Sequence, residues 1–217
     1  MSQPPPQPSP SGGGDRSFEP WAGLAAILAG IGGLVYSVAF LGGVVLGASP
    51  ELGLLVASAA LMVGGILGLL VLVAIYRRLL PASPGIALLG LALALMGAMG
   101  SVLHGGFDLA TVINPPAVNV LTETGLPSPV DPRGLLTFGM AGLGLIVLAG
   151  QARRIGALTS GVATMGVILG VLLVIVYLGR LIVLDPTNPL VAVPAGLTGL
   201  IVAPVFYVWL GLELRRR

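Results

Sequence analysis

The chain has 217 residues, 56% of them hydrophobic and 8% charged, with a mean hydropathy of +1.05 and a formal net charge of +2. Water-soluble domains carry roughly 25% charged residues, so this composition excludes one, calls for lipid as the solvent and leaves no role for nucleic acid. The absence of cysteine excludes a disulfide framework, a thiolate nucleophile and a thiolate metal site, and no cofactor motif is present.

Residues 1–19 open the chain with Pro, Ser, Gln and Gly. Such a segment buries too little apolar surface to offset its ordering entropy and is expected to be a disordered tail. It lacks the basic region and short apolar core of a secretory signal.

Six charge-free runs follow, at 20–50, 52–76, 79–107, 134–152, 155–179 and 186–212. A hydrocarbon core of ~30 Å is crossed by ~20 helical residues, so each run is long enough to span it. The runs do not alternate as the strands of a membrane barrel do. The predicted fold is all-α: a polytopic six-transmembrane-helix bundle over 20–217, with spans at about 21–46, 52–76, 86–108, 134–152, 156–179 and 191–212.

In the first span Ala25, Ala29, Gly33 and Ser37 recur every four residues, a ridge of small side chains that permits a close helix crossing. After a tight turn at 48–51, the second span repeats the pattern with Ala60, Gly64 and Gly68 and closes on Arg77 and Arg78. The third, after a turn at 81–84, offers Gly90, Ala94 and Ala98 on one stripe and Gly97, Ser101 and Gly105 on another, and carries His104 and Asp108 at its end. A loop rich in Pro, Asn and Thr is expected over 109–133. The fourth span closes on Arg153 and Arg154. The fifth presents Gly166 and Gly170 and ends at Tyr177 and Arg180, with Asp185 just beyond. The sixth presents Ala195, Gly199 and Ala203, is expected to bend at Pro204, where a backbone donor is missing, and closes on Arg215, Arg216 and Arg217. These small-residue faces serve packing within the bundle or, alternatively, contact with a membrane-protein partner or a second copy.

The arginines close every second span. With Arg16 they outnumber Arg133 and Arg180, and the positive-inside rule makes their side cytoplasmic, with both termini inside an inner membrane. His104 and Asp108 share a helix face at the opposite, outer side, and Arg180 and Asp185 end a helix on that side. An outer-face cluster of His104, Asp108, Arg180 and Asp185 is therefore expected, with Asp108 paired to Arg180. It reads as an interfacial salt bridge or as a proton-responsive vestibule. Ser101 lies one turn from His104, but no GxSxG-type signature accompanies it.

The short hairpins, the Tyr-Leu-Gly-Arg-Leu segment at 177–181, and a last helix running from Pro-Ala-Gly-Leu at 194–197 to Trp-Leu-Gly-Leu at 209–212 resemble uncharacterised multi-pass bacterial membrane proteins grouped as a domain of unknown function. The resemblance implies a bacterial inner-membrane location and assigns no site residues. The reading of the whole is a non-enzymatic structural or accessory membrane component. The alternative is a small transporter for an apolar or weakly basic solute with a proton-responsive outer vestibule.

Overall fold

A computed structural model describes residues 18–116, 131–183 and 188–216. Among them are six helices long and apolar enough to cross a membrane: α1 Phe18–Val45, α2 Pro50–Leu79, α3 Pro84–Ile113, α4 Leu135–Ile155, α5 Ser160–Val183 and α6 Pro189–Arg215. No strand occurs among the described residues. The expected tail up to Ser17, part of the loop after α3, Asp185 and Arg217 lie outside the described residues.

The boundaries follow local chemistry. Pro50, Pro84 and Pro189 occupy first turns, where the missing N–H costs nothing. Asn188 caps α6 by accepting from the Leu190 N–H at 3.0 Å. Gly156, at φ 70°, ends α4 in the left-handed conformation. The expected tail gives up its last two residues to α1, because Phe18 lies under the Arg77 guanidinium, 5.5 Å from its ring centroid, and Glu19 pairs with Arg78. Likewise α3 runs past 108 to Ile113, since nothing before Pro115 interrupts it and the Thr111 hydroxyl bonds back to the Phe107 carbonyl.

Each helix packs on its predecessor and successor, and α1 closes on α6, so the six form a ring. Both ends of the described chain meet on one face, the terminal face; the end of α3 and the start of α4 lie on the other, the loop face. The large buried side chains Ile75, Leu79, Leu148, Phe206, Leu210 and Leu214 fill the half of the ring toward the terminal face. Large apolar side chains such as Leu28, Leu88, Leu103 and Ile175 are exposed, as a lipid-facing surface requires.

Where sequence predicts one kind of small-residue stripe, the structure shows two. Gly170 packs against the Gly142 carbonyl of α4, Gly166 against Ala149 and Phe206, and Gly97 against Ala141, each so close that a methyl group would collide. Ala25 and Ala29 are buried, and Ser37 faces Gly199 of α6. By contrast a methyl on Gly33, Gly64 or Gly68 would meet nothing within 4 Å. These three, expected to seat neighbouring helices, do not: in α2 the close approach is made by Gly65, against Ala98 and Val102 of α3. Gly142→Ala is therefore expected to destabilise the detergent-solubilised protein by about 1–2 kcal/mol through overpacking. Gly64→Ala should leave its melting temperature unchanged or higher, because alanine is the better helix former.

At Pro204, where a bend is expected, α6 widens into a π turn over Thr198–Val202. The proline ring crowds the carbonyl four residues back and removes one donor, and a wider turn relieves the clash.

Candidate functional site

Among the described residues, charged side chains form two networks, one on each face of the ring. On the terminal face Arg78 donates from Nε to Glu19 Oε1 at 2.9 Å and from Nη2 to Oε2 at 2.6 Å, while its Nη1 lies 3.7 Å from Glu213 Oε1. Glu213 in turn accepts from the Thr159 backbone N–H at 2.9 Å and from its hydroxyl at 2.6 Å. Thr159 immediately precedes α5, so the Glu213 carboxylate sits where that helix presents its unpaired N–H groups. One arginine thus ties α1, α2, α5 and α6 together. The Arg78 and Glu213 side chains are only 10% and 7% exposed. Sequence reads Arg78 as a topological anchor in the headgroup layer; the structure makes it the centre of a buried ionic staple as well. Gln151 of α4 donates to the Ser83 hydroxyl before α3 at 2.5 Å, extending the polar contacts of this face.

On the loop face the expected partner of Asp108 is corrected. Asp108 Oδ1 accepts from Arg133 Nη1 at 2.8 Å, not from Arg180. Arg180 is exposed and has no carboxylate at ion-pair distance among the described residues; Asp185, expected beside it, lies outside them. The reason is the ring order. Arg133 enters α4, which packs on α3, whereas Arg180 leaves α5, one helix further round.

Arg133 organises the rest. Its Nε and Nη2 hold Asp131 at 3.0 and 2.6 Å, its backbone N–H donates to the same carboxylate at 2.9 Å, and its guanidinium lies 4.6 Å from the Phe107 ring centroid. His104, as expected, faces Asp108 one turn on, with Nε2 3.5 Å from Oδ2, and the same nitrogen is 3.7 Å from Asp131 Oδ2. On the other side of the ring Nδ1 is 3.3 Å from Thr137 Oγ1, and that hydroxyl donates to the Arg133 carbonyl at 3.0 Å. Sequence alone omits Asp131, Arg133 and Thr137 from the cluster. Ser101, weighed as a partner for His104, instead donates to the Gly97 carbonyl at 3.1 Å.

Partial burial pushes the Asp131 carboxyl up, but hydrogen bonds from Arg133 outweigh it and hold the group below its ordinary 3.8. Burial acts against the Arg133 charge too, and the bonds to Asp131 and Asp108 more than restore it. A carboxyl depressed in the native state contributes stability that is full above 3.8 and is lost as pH falls through its lower native value. The melting temperature should therefore acquire an acid-side decline below about pH 3.8 that Asp131→Asn weakens; an unchanged decline would show that Asp131 has no part in it.

No family model matches the chain, and neither a curated protein nor a solved structure is found similar to it.

Proposed function

We propose that the protein is a non-enzymatic component of the cytoplasmic membrane, accessory to a partner, whose state follows the protonation of the cluster of His104, Asp108, Asp131 and Arg133. Its orientation is argued from charge. Arg77, Arg78, Arg153, Arg154, Arg215 and Arg216 gather at the terminal face, against Arg133 and Arg180 at the loop face. The positive-inside rule then puts both termini in the cytoplasm and the cluster at the outer surface.

The setting of the imidazole carries this reading. The Thr137 hydroxyl donates a hydrogen bond to the Arg133 carbonyl and so leaves a lone pair for Nδ1, while Nε2 faces two carboxylates. Both ring nitrogens face acceptors, an arrangement that an imidazolium satisfies fully. With the ring charged, the two carboxylates, the guanidinium and the imidazolium sum to zero; with it neutral, one negative charge is in excess. Burial of the ring, Arg133 beside it and Arg180 from α5 oppose its charged form, whereas Asp108 from α3 and Asp131 from the segment before α4 favour it. Tyr36 of α1 lies within electrostatic reach of Asp108 and Arg180. The two protonation states thus differ in how firmly the outer ends of α3 and α4 are fastened, the kind of difference a partner can read.

Because His104 is the one histidine of the chain, nitrogen NMR of histidine-labelled protein in nanodiscs reports this ring alone. The expected result is a titration, within the pH range over which the protein stays folded, that moves to lower pH in Asp131→Asn. A partner recovered from native membranes should be held on one side of that midpoint and released on the other. A ring silent over this range, or a partner indifferent to His104→Gln, would sink the proposal.

A further inference from the structure

The ring is not filled to its centre. Between the packed terminal half and the loop-face cluster lies a cavity of about 170 Å³ to which every span contributes, among others Tyr36 of α1, Gly64 of α2, Ser101 of α3, Ala141 of α4, Leu173 of α5 and Tyr207 of α6. We infer that this cavity is a binding site for one small, uncharged, mainly apolar molecule carrying an oxygen that accepts a hydrogen bond. The inference goes beyond the proton-responsive reading and does not depend on it.

Three observations carry it. The space is kept open by residue choice: Gly33, Gly64 and Gly68 line it, and a methyl group at any of them would meet nothing within 4 Å. Glycine inside a helix costs about 1 kcal/mol relative to alanine, so alanine there would stabilise the helices as well as fill the void. The size suits a ligand, since an apolar cavity of about 150 Å³ stays dry and accepts benzene. The third observation is polar. Tyr36 and Tyr207, both half-buried, line the cavity, and neither hydroxyl makes a hydrogen bond among the described residues. A phenol within a packed bundle ordinarily finds one. Each is a donor without an acceptor from the described residues, bordering a space in which an acceptor fits. The lining is otherwise aliphatic and glycine, with the Ser101 hydroxyl committed to its own helix, so an ionic ligand would have no counter-charge there.

The test uses the whole chain in nanodiscs, with 4-fluorobenzyl alcohol as the probe and fluorine NMR as the readout, beside empty nanodiscs that report partition into lipid. The expected result is a protein-dependent signal that saturates at one probe per chain and is abolished in Gly64→Leu. If that variant does not fold, Gly68→Leu fills the same space. Tyr36→Phe or Tyr207→Phe should weaken binding about tenfold, the equivalent of one hydrogen bond made out of water, and fluorobenzene should bind correspondingly less well than the alcohol. No saturable signal means a water-filled or empty void and overturns the site. A saturable signal that survives both leucine variants places the probe elsewhere and overturns it too. Equal binding of fluorobenzene and the alcohol, unaffected by the phenylalanine variants, overturns the hydrogen-bonded class of ligand.

Discussion

Glu213→Ala is expected to destabilise the purified protein by about 3–5 kcal/mol, the usual cost of removing one partner from a buried ion pair. The carboxylate is 7% exposed and serves two helices at once, as an electrostatic partner of Arg78 and as the acceptor that satisfies Thr159 at the start of α5. Its loss leaves the buried Arg78 guanidinium with Glu19 alone. It also leaves the Thr159 N–H and hydroxyl without the carboxylate that accepts from them. Glu213→Gln separates the two roles. The amide oxygen still accepts from Thr159 while the charge is gone, so the expected loss is about half that of the alanine variant. Thermal melts in one detergent decide the matter, and membrane orientation should be unaffected because acidic residues weigh little in it. If both variants melt with the wild type, the terminal-face staple contributes nothing and the ring is held by apolar packing alone.

The spans were legible because charge-free runs long enough to cross a bilayer have few alternatives, and Pro50, Pro84 and Pro189 mark helix starts by a local rule. What was not legible is rotation about each helix axis. In α2, Gly64 and Gly65 are adjacent small residues about 100° apart on the helix. Sequence gives no reason to prefer one as the packing residue, and the four-residue recurrence of Ala60, Gly64 and Gly68 points to the wrong one. Only closure of the ring turns Gly65 toward α3 and Gly64 toward the cavity. The same closure brings Glu19, Arg78 and Glu213 together from three helices. No sequence spacing encodes that meeting.

The loop-face cluster was half legible. The one-turn spacing of His104 and Asp108 is a helical rule, and it holds. Their cationic partner was misassigned because Arg133 was counted as the last residue of a loop when it is already helical. Antiparallel neighbours in sequence pack side by side, so the start of α4 lies opposite the end of α3, and that rule favours Arg133 over Arg180.

The pairing makes the two arginines experimentally distinct. Arg133→Ala is expected to cost about 3 kcal/mol, because it strips two carboxylates of their charge-assisted hydrogen bonds at side chains only 24–25% exposed. Arg180→Ala, on an exposed residue without an ion pair among the described residues, should stay within about 0.5 kcal/mol of wild type. Arg133→Lys should recover only part of the loss, since a single ammonium cannot hold Asp131 through two nitrogens and reach Asp108 as well. The histidine signal supplies a second readout that simple destabilisation would not move. With Arg133 gone, Asp108 and Asp131 face His104 without their competing cation, so the imidazole should take up its proton at higher pH than in wild type. A histidine titration that shifts in Arg180→Ala and not in Arg133→Ala would reverse the assignment and return Asp108 to the partner expected from its sequence position.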